Sequence, residues 1–211
     1  MESELLSISG AIAAGASVVM AFIAYSALRT WKHQDRAKRE AEFLDQLIES
    51  VHAYIAELPR AITLLEMSRF GMESHIPTWK KDASDAKELE GAMIYIAKHG
   101  DEDAQRINTA LRVLKPLAAR VMSLGAKGQV LKLDDHPLCF EAIRNLIGQS
   151  DIISSFAVVI GSTNLNWEHP EVADRLKWAM AISPIDIRQH INDSNVVILG
   201  FAQKNYKQIY G

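Results

Sequence analysis

The sequence predicts an all-α protein in which one N-terminal transmembrane helix continues into a cytosolic helical bundle. Three observations carry that expectation. Residues 5–28, LLSISGAIAAGASVVMAFIAYSAL, run for 24 positions without a charge, and about 20 such residues of helix cross the roughly 30 Å of bilayer hydrocarbon. Five basic residues crowd the C-terminal side of that run, and none precedes it. Further on, apolar side chains recur at i, i+3, i+4 and i+7, the helical period. The chain thus divides into an anchor, residues 1–35, and an all-α cytosolic domain, residues 36–211.

Two other readings of residues 5–28 stay open. A secretory signal peptide would begin with basic residues and carry a shorter apolar core, whereas this chain begins with Glu2 and Glu4, although Ala24-Tyr25-Ser26 loosely resembles a cleavage site. A buried core helix is the second. If the run spans a membrane, Arg29, Lys32, Arg36, Lys38 and Arg39 place the N-terminus outside and the bulk of the chain in the cytoplasm of a bacterial inner membrane. Those residues would also hold anionic headgroups at about 1 kcal/mol each. Tyr25 and Trp31 fall where interfacial aromatics belong.

Within the run, Ser7, Gly10, Ala14, Ser17, Ala21 and Ala24 are spaced 3-4-3-4-3 and form one stripe of small residues. Small residues let helix backbones approach in lipid, where no hydrophobic force draws helices together. A homo-oligomer through this stripe is expected, its 3.5-residue repeat favouring a left-handed arrangement. The stripe either packs or lines a narrow lumen, and Ser7 and Ser17 are its only polar members, which favours packing.

The first soluble helix carries Phe43, Leu44, Leu47, Ile48, Val51, Tyr54, Ile55 and Leu58 at helical spacing, and no Gly or Pro interrupts the chain between Gly15 and Pro59. The anchor should therefore run straight on as one rod of about 80 Å. At about 100° per residue, Val51 lies about 160° from Ser17, so the face that builds the bundle is not the one that self-associates. Pro59 kinks or restarts the helix, which continues to Gly71. Residues 71–83 read as a loop. Asp85 and Glu88 suggest a capping box for a helix ending near Gly100, and Asp101, Glu102 and Asp103 suit the start of another. Pro116 bends or breaks that helix, and residues 125–134 read as a loop. Asp135 caps a helix with Pro137 in its first turn, stopped by Gly161. Pro170 opens a helix to Ile182, Pro184 starts a short segment, and a last helix runs from about Asp193 to Tyr210, with a strand at Val196–Ile198 as the alternative.

Composition limits the chemistry. The single cysteine, Cys139, rules out an internal disulfide and reads as a buried apolar group. No HExxH, paired cysteines, Walker loop or GxSxG occurs, so no cofactor, metal or catalytic machinery is expected. Asp134-Asp135-His136 could tempt a metal, but a capping turn explains it. The net charge is −3, yet its distribution is uneven. Residues 41–103 hold 13 acids against six bases, whereas Arg106, Arg112, Lys115, Arg120, Lys127 and Lys132 fall in a stretch without acids. Such a stretch could attract a nucleotide, RNA, a ribonucleoprotein or a lipid surface. On a helix Arg112 and Lys115 point away from Arg106 and Arg120, and no aromatic is present to stack on bases. The favoured reading is a solvated face pairing with neighbouring acidic helices.

Arg69-Phe70-Gly71-Met72-Glu73-Ser74-His75 fits the loose R-x(4–6)-H signature of HEPN-type ribonucleases, α-helical proteins in which the arginine and histidine pair across a dimer. Together with the span at residues 5–28, the chain resembles single-pass α-helical membrane effectors of bacterial phage defence, such as the HEPN-like pore-forming accessory proteins of Cas13b CRISPR systems. The resemblance implies an oligomer that permeabilises the inner membrane when its cytosolic domain receives a signal. A membrane-tethered scaffold or regulator, and an anchored ribonuclease using Arg69 and His75, are the alternatives.

Overall fold

A computed structural model describes the backbone of residues 2–75 and 85–210 and the side chains of residues 17–75 and 88–210. Helix α1 (Glu2–Ser74) is one rod of 73 residues, about 110 Å long at about 1.5 Å per residue. Helix α2 (Asp85–Tyr95) passes through a π-helical turn at Ile96–Gly100 into α3 (Asp101–Leu131). Helices α4 (His136–Gly161), α5 (Pro170–Ala181) and α6 (Pro184–Tyr210) follow. The fold is all-α, with no strand among the described residues.

Four long helices make the core. Helix α1 packs on α3 and α6, and α4 packs on the same two from the opposite corner. On α1 the buried residues Leu44, Leu47, Val51, Tyr54, Leu58, Ile62 and Leu65 advance by three or four positions, one face of the rod. Fully burying a leucine there contributes about 1.5–3 kcal/mol over leaving it exposed. Helix α3 runs antiparallel to α1: the Ser68 hydroxyl lies 3.0 Å from the Asp103 carboxylate at one end, and Gly128 lies against Phe43 at the other.

Several boundaries differ from the sequence expectation. Gly71 to Ser74 are helical rather than loop, because Gly71 is where the Tyr95 ring lies on α1; a Cβ there would stand 2.3 Å from it. Residues 76–84 of the expected loop, and the Asp85 side chain of the expected capping box, lie outside the described residues. Helix α3 continues through Pro116 and across the expected loop at residues 125–134 as far as Leu131. Its glycines serve close packing rather than a turn. A Cβ at Gly125 would stand 2.8 Å from the Phe140 ring, and one at Gly128 would stand 2.6 Å from the His136 ring. No break separates α2 from α3 at Gly100, since the π-helical turn carries the chain over Ile160 of α4, whose carbonyl oxygen would lie 2.1 Å from a Cβ at Gly100. Helix α6 is continuous from Pro184, and Val196–Ile198 are helical. Its buried Ile187, Ile191, Ser194, Ile198, Phe201 and Asn205 keep a 4-3-4-3-4 spacing that a strand could not bury.

Candidate functional site

The most unusual feature is the free part of α1. Residues 17–34 are all exposed, and the first buried of the rod's described side chains is Ala41. Val18 is 70% exposed, Phe22 72% and Trp31 61%, and Val19, Met20, Ile23, Tyr25 and Leu28 are exposed as well. A helix bearing apolar side chains on every side needs lipid or other helices around it. Among the described residues no helix is long and apolar enough to cross a membrane. Of the apolar run, only Ser17 onward has described side chains. Of the small-residue stripe, Ala21 and Ala24 lie exposed on the free rod with Ser17 above them in the chain; Ser7, Gly10 and Ala14 lie outside the described side chains.

The five basic residues after the run separate into two groups. Arg36 meets Glu40 at 2.7 Å, Arg39 meets Asp35 at 2.7 Å and Lys38 comes within 3.9 Å of Glu42, all one helical turn apart. Arg29 and Lys32 form no ion pair with a described residue and stand closest to the apolar segment. The three pairs are local to the helix, each joining residues four apart.

Arg69 and His75 are engaged by different partners. The Arg69 guanidinium donates to the Ile182 carbonyl and, at 2.8 Å, to Glu73, which ties α1 to the α5–α6 connection. His75 Nδ1 lies 2.9 Å from the Gly71 carbonyl, and its ring packs edge-on to Tyr95 at 5.3 Å and to His99 at 6.2 Å. The structure therefore does not bring the two residues together within one chain. Around Tyr95 it assembles a cluster that sequence reasoning missed. The Tyr95 hydroxyl donates to the Asp103 carboxylate, which also meets Ser68 at 3.0 Å and Arg106 at 3.6 Å. Burial, and then the bond to Asp103, push the Tyr95 hydroxyl well above its ordinary range. No single-residue signal marks the π-helical turn that sets His99 beside Tyr95.

The Asp134-Asp135-His136 trio disperses. Asp134 accepts from Gln208 at 2.9 Å, Asp135 accepts from Lys204 at 2.6 Å, and the buried His136 ring donates through Nε2 to the Gly125 carbonyl at 2.7 Å. Asp135 does precede α4, but its side chain does not cap. It sits at φ 59°, and its backbone carbonyl receives Leu138 and Cys139. No group of three or more metal-ligating side chains occurs among the described residues. Cys139 is buried, which pushes its thiol up to about 12.

The basic stretch on α3 does not pair as expected. Arg106 is satisfied by Glu102 and Asp103 of its own helix. Arg112, Lys115, Arg120 and Lys127 are exposed and form no ion pair with any described residue, and Lys132, at the helix end, adopts φ 54°. With the core side of α3 known, the four free cations fall within an arc of about 140° on the outer face, so they share one surface. No family model, curated protein or solved structure matches the chain.

Proposed function

We propose that this chain is a single-pass inner-membrane protein, N-terminus outside, that self-associates through the small-residue stripe of α1. In this reading the cytoplasmic bundle receives a signal and the assembled anchors permeabilise the membrane. The observation that carries it is the apolar segment of α1 beyond the bundle, exposed on all sides, with no described residue of the chain covering it. Arg29 and Lys32, next to that segment and without an ion pair to any described residue, suit the headgroup layer on the cytoplasmic side. The rod is unbroken from the apolar segment into the core, so a rotation or tilt of the bundle is passed directly to the anchor. The other reading is a membrane-tethered scaffold, in which α1 is an anchor only.

Membrane potential and dye entry in bacteria expressing the full chain separate the two. The wild type should depolarise the cell, while Gly10→Ile/Ser17→Ile, which puts bulk on the stripe, should reach the membrane and leave it intact. Equal depolarisation by both would remove the stripe from the mechanism. An intact membrane in both, with the protein inserted, would favour the scaffold.

A further inference from the structure

Two outer faces of the bundle match each other. On α3 the exposed seam Pro116, Ala119, Ser123, Ala126 and Val130 follows a 3-4-3-4 spacing, flanked by Lys115, Arg120 and Lys127, with Arg112 one turn before it. On α1 the exposed positions between the stalk and Pro59 include Glu42, Glu49 and Glu57 with Gln46, Ala53 and Ala56 among them, beside Asp45, which accepts from Tyr206 of α6, and His52. Glu49 and Glu57 form no ion pair with a described residue, and Glu42 has only the 3.9 Å approach of Lys38. Arg60 bounds this acidic strip at its far end.

The spacing of the charges is the decisive point. Glu42, Glu49 and Glu57 are separated by 7 and 8 residues; Lys127, Arg120 and Arg112, read backwards, are separated by 7 and 8. Run antiparallel, the two sets keep the same intervals along their axes. Within one chain α3 is antiparallel to α1, so in copies held parallel by one membrane each α3 is antiparallel to every neighbouring α1. The heights agree too. The contacts Ser68 to Asp103 and Phe43 to Gly128 set Lys127 level with Leu44, Arg120 with Val51 and Arg112 with Pro59. Each cation therefore stands two residues, about 3 Å, from the level of its acid in a copy at equal height.

We infer that the basic face of α3 in one copy docks on the acidic face of α1 in the next, a head-to-tail contact between copies of this chain. The inference rests on the membrane reading above, which makes the copies parallel. A heterologous contact at equal height closes into a ring rather than a dimer or a rising filament. Ala53 lies on the same side of the rod as Ser17, since 36 residues make about ten whole turns, so one side of α1 meets neighbours both in lipid and above it. Helices crossing at about 20° in the membrane diverge by nearly 20 Å over the roughly 50 Å up to Glu49, which leaves room for one α3 between them. The strip measures about 22 Å by 10 Å and buries about 450 Å² in all, below the roughly 1,200 Å² of a stable interface. It orients copies that the shared membrane has already concentrated.

Cysteine cross-linking of the full chain in its membrane tests the contact. Glu49→Cys/Arg120→Cys should give an oxidative ladder of dimers, trimers and larger species ending at one largest band, with neither single variant doing so. Arg120→Glu or Glu49→Arg should each weaken assembly about tenfold, and the two together should restore it. A ladder that stops at dimers, or a charge swap without rescue, would overturn the head-to-tail contact. Ala21→Cys, run in parallel, reports the membrane stripe. Cross-links there but none at 49/120 would overturn this inference and leave the oligomer reading standing; the reverse pattern would overturn the stripe and support the α1–α3 contact alone.

Discussion

Three glycines of this bundle should respond to the same substitution with opposite signs. Replacing a helical glycine by alanine at an open site stabilises a helix by about 0.8–1 kcal/mol. Gly148 on α4 and Gly200 on α6 have nothing within 4 Å of where a Cβ would stand, so Gly148→Ala and Gly200→Ala should each gain nearly that much. Gly128 is different. Its Cβ would stand 2.6 Å from the His136 ring and 2.8 Å from the Phe43 ring. His136 cannot simply swing away: its Nε2 donates to the Gly125 carbonyl at 2.7 Å, and its ring stacks on Phe140 at 6.0 Å. Overpacking costs about 1–3 kcal/mol, and a buried His136 Nε2–H left without its acceptor costs about 1–3 kcal/mol more. Set against the propensity gain of about 1 kcal/mol, Gly128→Ala should destabilise by about 1–5 kcal/mol. Urea unfolding of the full chain in detergent, followed by circular dichroism, reads all three. A stabilised Gly128→Ala, or a Gly200→Ala destabilised by more than about 1 kcal/mol, would refute the packing argument.

Tyr95→Phe removes the hydroxyl that donates to Asp103; because Ser68 and Arg106 remain near that carboxylate, unfolding should show a loss near the low end of about 1.5–3 kcal/mol. Cys139 gives a pH dependence. Burial raises its thiol from 9.0 to about 12, so the folded state holds a proton that the unfolded state releases above about pH 9. That contribution is whole below pH 9 and fades as pH climbs toward 12, and by pH 10 it has lost about 1.4 kcal/mol. Unfolding free energies at pH 8 and pH 10 should therefore differ by that much more in the wild type than in Cys139→Ala, and identical slopes would count against the burial of the thiol.

How much of this was legible beforehand depends on whether the signal is local. The start of α4 with Pro137 in its first turn, its stop at Gly161 and the opening of α5 at Pro170 were all readable, because proline and glycine act on the backbone where they stand. The same residues misled where their role was long-range. Gly125 and Gly128 look like a loop in the chain, yet they are where α3 crosses α4 and α1, and only the neighbouring Phe140, His136 and Phe43 explain them. Arg69 and His75 form a motif on paper, but a position in sequence does not say which neighbour a side chain will meet. Ile182 takes the arginine, and Tyr95 and His99 surround the histidine.

By itself the sequence determined the all-α class, the continuity of the first helix as far as Pro59 and the face of it that enters the core. Those follow from periodicity and from the absence of breakers between Gly15 and Pro59. That α1 passes through Pro59 without ending was left open by the sequence. Only the tertiary structure decided which cations find no acid on a neighbouring helix. Arg36, Lys38, Arg39 and Arg106 are matched one turn away on their own helices, whereas Arg112, Lys115, Arg120 and Lys127 are exposed and form no ion pair with a described residue. It also set α3 antiparallel to α1 and fixed their relative height. Both depend on contacts between residues far apart in the chain, such as Ser68 with Asp103 and Phe43 with Gly128, where hydrogen bonding and close packing choose the register and no local pattern records it.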